Sequence, residues 1–154
     1  LIVRLWPDLE SLIDLGRFFR SPWSKSFIPL LGETRSLDDI EHNLIRGSDR
    51  YQDPRIHFAV NCASVGCPAL REEAYTGGKL DVQLEAQTKR FLADGSRNKM
   101  SDNTLHLSKI FDWYKADFGG NDKELIKFIN KYSDIEVNEN AKVTFNEYNW
   151  NLNN

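Results

Sequence analysis

Sulfur is scarce in this 154-residue sequence, which has two cysteines and one methionine. Two cysteines cannot staple a disulfide-rich secreted scaffold. Cys62 and Cys67 are compatible either with a small disulfide loop or with two free thiols. An excess of one charge sign is also missing, with 20 Lys and Arg against 23 Asp and Glu and a net charge of -3. Without a basic stripe there is no electrostatic footprint for nucleic acid. No apolar run approaches the ~18 residues that span a bilayer, and the first residues do not join a charged stretch to an apolar one as a signal peptide does. No membrane partner is therefore expected. Repeats, low-complexity stretches and long linkers are lacking too, so residues 1–154 read as a single domain.

What is plentiful is aromatic surface: nine Phe, five Tyr and four Trp suffice for a real core. Pro7 closes the opening segment LIVRLW, and Pro22 and Pro29 prevent one long helix from following it. FIPLL and TRSL around Gly32-Glu33 predict a short hairpin. Ser36 then caps a helix with Asp38, Asp39 and Glu41 in its first turns, ending near Arg46. Its apolar stripe is Leu37, Ile40, Leu44 and Ile45, and Glu41 falls inside that stripe, where a carboxylate needs a partner.

Asp53-Pro54 breaks the chain, and IHFAVN follows as a strand. Thr76 is the expected cap of a helix over KLDVQLEAQTKRFL, and ADGSRNKMSDN reads as a polar loop. TLHL predicts a strand, with Ser108 capping a short helix, KIFDWYKADF, stopped by Gly119-Gly120. A helix over KELIKFINKY and a strand over KVTFNEY complete the chain. Helices and strands mix without strict alternation, which predicts α+β with a mainly antiparallel sheet packed with helices.

Chemistry concentrates between Arg55 and Leu70, RIHFAVNCASVGCPAL. On a strand His57, Ala59 and Asn61 share one face, while Phe58, Val60 and Cys62 share the other, so Cys62 is expected in the core. Cys67 precedes Pro68, a residue favoured at the first position of a helix, and at an N-cap the backbone N–H groups would favour its thiolate. A thiol enzyme needs such a cysteine, a histidine base and a third polar group to hold the base. Cys67, His57 and either Asn61 or Glu41 can fill those roles. Two cysteines and a histidine also offer soft metal ligands, but the paired short spacings of a structural zinc site are missing. His42 sits near Arg46 one helical turn on, and His106 alternates with Thr104 and Ser108 on a solvent-facing strand side. Phe111, Tyr114 and Phe118 form a core stripe, beside which Asp117 is expected as a structural hydrogen-bond acceptor.

Five motifs occur in one order: SLDDIEHNLIR, DPRIHFAVNCASVGCPALREEAYT, LDVQLEAQTKRFL, LSKIFDWYKADFG and YNWNLN. Together they resemble the domain of unknown function 547 family from about Ser21 to Asn154. The resemblance implies an α+β domain similar to papain and transglutaminase type cysteine enzymes. It also implies a setting in bacterial, often exported, periplasmic or extracellular proteins, or at the C-terminal end of plant proteins with a leucine-zipper segment. The plant setting suggests a protein partner. The family pattern falls on Glu41, His42, Arg55, His57, Asn61, Cys62, Cys67, Pro68, Trp113, Tyr114 and Asp117, and not on His106. Family members usually carry an upstream helical portion with a Trp-Ile-Asn and Tyr-Asn-Ala type motif, which would precede Leu1 here. In papain-like folds the cysteine comes before the histidine, whereas here His57 precedes both cysteines.

The expectation from sequence is a Cys-His thiol hydrolase or acyl transferase acting on a peptide or amide. Cys67 would be the nucleophile, His57 the base, and Asn61 or Glu41 the orienting group, with Arg55, Cys62 and His42 contacting substrate. No cofactor or metal is called for. A small thiol peptide such as glutathione is a plausible ligand, since a reactive cysteine forms mixed disulfides with it. The contrasting expectation is a non-catalytic binding or protein-interaction module on an enzyme-like fold.

Overall fold

The computed structural model describes residues 10, 11, 22–48 and 50–153. The chain forms two compact units, each assembled from separate stretches: residues 1–52, 63–65 and 150–154 in the first, residues 53–62 and 66–149 in the second.

In the first unit β1 (Ile28–Leu30) pairs antiparallel with β2 (Glu33–Arg35). Leu31 and Gly32 have φ of +55° and +82°, the mirror-image turn whose twist suits a two-residue hairpin, so the predicted hairpin is present. Ser36 Oγ accepts the Asp39 backbone N–H at 3.0 Å, as a helix start requires. The Asp39 carboxylate then takes Arg35 Nη1 and Asn43 Nδ2, each at 2.7 Å. The helix that follows, Asp39–Arg46, is of the π type rather than α. Its i→i+5 hydrogen bonds widen every turn, yet Ile40, Glu41, Leu44 and Ile45 are all half-buried while His42 and Asn43 are exposed. None of its residues is fully buried, Leu37 before it is exposed, and Glu41 is half-buried rather than sunk in a core. Elsewhere in this unit the chain near its end pairs on both sides. Ser11 bridges Asn151 and Ser64 bridges Leu152, with Val65 N–H donating to Asn151 O at 2.8 Å and Leu152 N–H to Glu10 O at 2.9 Å.

The second unit departs from the sequence reading at its first element. The expected strand IHFAVN is absent, and Pro54–Phe58 is a 3-10 helix. Local chemistry outweighs the β-propensity of Ile, Phe and Val here. Asp53 caps by accepting the Arg55 backbone N–H at 2.9 Å and also holds Arg55 Nη2 at 2.6 Å. Pro54 supplies a helical φ where no N–H is needed. On a strand His57 and Phe58 would face opposite ways, whereas in this turn both are buried. Burial works against the charge on Asp53, but the Arg55 hydrogen bonds outweigh it and hold the carboxyl below its usual pKa of 3.8. A depressed carboxyl stabilises the fold above the unfolded pKa and loses that effect as pH falls through the folded one. Asp53→Ala is expected to cost about 1–2 kcal/mol at neutral pH, mostly from the cap because water screens the ion pair. Denaturant titrations should show the difference shrinking as pH falls below the ordinary carboxylate range and the carboxyl of the parent protein is protonated too.

Helix α1 (Leu80–Leu92) is the helix foreseen from the sequence, but Thr76 does not cap it. Gln83 reaches back instead, accepting the Thr76 N–H and donating to Ala74 O, both at 3.0 Å. Strand β3 (Lys99–Ser101) lies in the stretch expected to be loop. It turns into β4 (Thr104–Leu107) through Asp102 and Asn103, whose φ of +47° and +56° are tolerated by short polar side chains. The sheet order is β3-β4-β5, with β5 at Lys142–Phe145; β3 and β4 are antiparallel, and β4 and β5 are parallel. The three-stranded sheet is thus mixed, not all antiparallel, and the β1-β2 pair is antiparallel. A parallel pair needs a long crossover, and here it carries α2 (Ile110–Trp113), a 3-10 turn (Lys115–Phe118) and α3 (Asp122–Tyr132). Ser108 Oγ accepts the Ile110 N–H at 3.3 Å, and Asn121 Oδ1 accepts the Glu124 N–H at 3.1 Å. Gly119, at φ +96°, ends the 3-10 turn, and a Cβ there would run into the Glu124 side chain.

The core of this unit is built on Phe58, Phe91, Phe111, Phe118, Leu125 and Ile129. Phe58 stacks on Phe91 at 4.8 Å between ring centres and lies 5.6 Å from Phe111. Among the described residues no helix is long and apolar enough to cross a membrane.

Candidate functional site

The second unit brings together two groups of polar side chains. The first is a disulfide between Cys62 and Cys67, which uses both cysteines of the chain. In this state Cys67 is not a free nucleophile. Its surroundings also reverse the sequence expectation: Cys67 is 4% exposed, while Cys62 is half-buried rather than in the core. The in-and-out alternation that sent Cys62 inward belongs to a strand that does not form. Residues 68–70 are not helical, so Cys67 is no N-cap and receives nothing from a helix dipole.

Other donors take that place. Cys67 Sγ accepts the Cys62 backbone N–H at 2.9 Å and the Tyr148 hydroxyl at 3.2 Å. The same hydroxyl lies 3.5 Å from Cys62 Sγ. Hydrogen bonds to sulfur favour its thiolate form over the thiol. The Asn61 side-chain amide donates to Pro68 O at 2.8 Å, tying the two arms of the cysteine loop together. Ala63, at φ +66°, turns the chain directly after Cys62. Gly66 N–H donates to Asn149 O at 2.9 Å, and a Cβ at Gly66 would lie 2.8 Å from the Tyr148 ring. Only glycine lets the chain pass so close under the tyrosine. Trp113, partly exposed, packs against the same ring at 4.8 Å between centres.

The second group surrounds His57. Its Nε2 bonds Asp117 Oδ2 at 2.7 Å, and its ring stacks on Tyr114 at 4.1 Å with the planes 14° apart. Phe118 flanks it at 5.6 Å. A carboxylate on one ring nitrogen and an aromatic face fix the imidazole's orientation. The carboxylate bonded to His57 is therefore Asp117, read from sequence as a structural acceptor. Asn61 serves Pro68, and Glu41 and His42 belong to the first unit, where Arg46 Nη1 donates to His42 Nδ1 at 3.1 Å. Tyr148 was missed because its position near the chain's end carries no local pattern linking it to a cysteine.

Arg55, expected to contact substrate, is held between Asp53 Oδ2 at 2.6 Å and Asp81 Oδ1 at 2.8 Å. Its hydrogen bonds to the Asp53 carboxylate raise the guanidinium pKa further above its usual value. His106 links Ser101 Oγ at 3.2 Å with Thr144 Oγ1 at 2.9 Å across the sheet. Among the described residues no three His, Cys, Asp or Glu side chains cluster as metal ligands.

Compared with known families, residues 9–92 match the one described as "Protein of unknown function, DUF547". That span contains His57, Asn61, Cys62 and Cys67 but ends before Asp117 and Tyr148, short of the reach to Asn154 that the motifs suggested. No curated protein and no solved structure matches the chain.

Proposed function

This chain belongs to the DUF547 family of proteins of unknown function, and from its site we propose that its reduced form is a thiol hydrolase or acyl transferase acting on a peptide or amide, on a fold related to papain and transglutaminase type cysteine enzymes. The observation that carries the reading is the pair of donors on Cys67 Sγ, the Cys62 N–H and the Tyr148 hydroxyl. A nucleophilic cysteine must be a thiolate, and two hydrogen bonds to sulfur are placed to hold its negative charge. In the disulfide the Cys62 sulfur occupies one side of Cys67 Sγ. Reduction lets the Cys62 side chain rotate away and opens that side to a carbonyl carbon.

His57 is the base and later the acid that protonates the departing amine, with its ring held by Asp117 in the manner of a triad carboxylate. Asn61, bonded to Pro68 O, is a positioning residue that keeps the cysteine loop closed. A substrate panel tests the reading directly. The protein is incubated with peptides and simple amides, once oxidised and once after reduction, and products are followed by mass spectrometry. Cleaved or transferred acyl product is expected from the reduced protein alone. Equal product from the oxidised protein ends the cysteine mechanism, and no product from either form leaves a binding or protein-interaction module.

A further inference from the structure

The two sulfurs of the Cys62–Cys67 bond are not equivalent. Cys67 is buried and its Sγ accepts the Cys62 N–H at 2.9 Å and the Tyr148 hydroxyl at 3.2 Å. Cys62 is half-buried, and the Tyr148 oxygen is farther from its sulfur, at 3.5 Å. Disulfide exchange is a displacement in which one sulfur is attacked and the other leaves. Its rate depends on access to the attacked sulfur and on how well the departing sulfur bears negative charge. Both criteria select the same direction, attack at Cys62 and departure of Cys67.

We propose that this disulfide is a thiol–disulfide exchange site for a low-molecular-weight monothiol, with Cys62 forming the mixed disulfide and Cys67 leaving as the thiolate. The external thiolate attacks Cys62 Sγ, a new sulfur–sulfur bond forms, and the Cys62–Cys67 bond breaks with its electron pair on Cys67 Sγ. The Cys62 N–H and the Tyr148 hydroxyl already point at that atom, so its charge is met without rearrangement. A second external thiolate then attacks the external sulfur of the mixed disulfide and releases Cys62 as a thiolate. Two thiols are oxidised to one disulfide, and the protein disulfide is reduced to two thiols. The Asn61 to Pro68 bond and the Gly66 to Asn149 bond hold the loop through the cycle, which keeps Cys67 near enough to reclose the bond in the reverse direction. The exchange needs neither His57 nor an amide substrate, so it stands apart from the hydrolytic reading.

Reduced glutathione is a suitable probe. The oxidised full chain is incubated with it, quenched with iodoacetamide and digested with trypsin. Fragmentation of the peptide Ile56–Arg71, which carries both cysteines, assigns each modification. Glutathione on Cys62 with alkylated Cys67 is the expected result. Glutathione on Cys67 with alkylated Cys62 overturns the proposal, as does a bond that glutathione opens only after the protein is denatured. Tyr148→Phe keeps the ring against Gly66 and Trp113 but deletes the donor, and should slow exchange about 3- to 10-fold. An unchanged rate removes Cys67 as the assisted leaving group. Amide turnover is measured on the same preparation after full reduction. Exchange without turnover supports this proposal and counts against the hydrolytic reading, while turnover without exchange does the opposite.

Discussion

Phe58→Ala is expected to destabilise the protein by about 3–5 kcal/mol, the range found when a large buried aromatic side chain is cut back to a methyl. Phe58 is 0% exposed, and its ring is surrounded by those of Phe91, Phe111, Phe118 and Phe128 at 4.8, 5.6, 6.0 and 6.3 Å between centres. The neighbours come from α1, α2, the 3-10 turn after it, and α3, so no single element can move in to fill the space. A small domain is stable by only about 5–15 kcal/mol in total, so the loss takes a large share of it. Urea denaturation followed by circular dichroism measures the change, with the midpoint falling and the slope held. A loss below about 1 kcal/mol would mean that this ring is not what ties the 3-10 helix to the rest of the core.

In fully reduced protein, Cys67→Ala should lower amide turnover by at least about a thousandfold, since removing a nucleophile leaves only binding and electrostatic effects. Comparing reduced proteins is essential. The substitution also abolishes the Cys62–Cys67 bond, and reduction has already removed that bond from the parent, so stability differs little between the two. The Cys67 side chain is small, and replacing it leaves the Tyr148 ring resting on Gly66 and Trp113. The measurement is the initial rate on whichever amide the substrate panel identifies. A drop of less than about tenfold would assign the chemistry to another group, because a displaced nucleophile cannot be that dispensable.

Much of the second unit follows from local rules. Helices α1 and α3, strands β4 and β5, the Ser108 cap and the stop at Gly119 were all readable, because each rests on side chains within one or two turns of one another. The Ser36 cap and the β1-β2 hairpin of the first unit follow in the same way. The Pro54–Phe58 turn was misread because apolar β-branched and aromatic residues suggested a strand, although Asp53-Pro54 is itself a helix-start signal. Strand β3 was hidden in a polar stretch, where Asp102-Asn103 is the signal that a turn with positive φ could have been sought. The parallel pairing of β4 with β5 has no local signature, since it depends on what the intervening helices pack against.

By itself the sequence determined that an α+β chain with capped helices forms, that it belongs to a family recognisable over residues 9–92, and that both cysteines and His57 lie between Arg55 and Leu70. These are matters of spacing and propensity within short stretches. Only the tertiary structure decided who partners whom. His57 takes Asp117, 60 residues away, and Cys67 takes the hydroxyl of Tyr148, 81 residues away. It also decided that Cys67 is buried and Cys62 half-buried. The physical reason is that a hydrogen bond is made or lost within a few tenths of an ångström. Distances between remote segments are set that finely by packing of the whole core and not by any pattern along the chain.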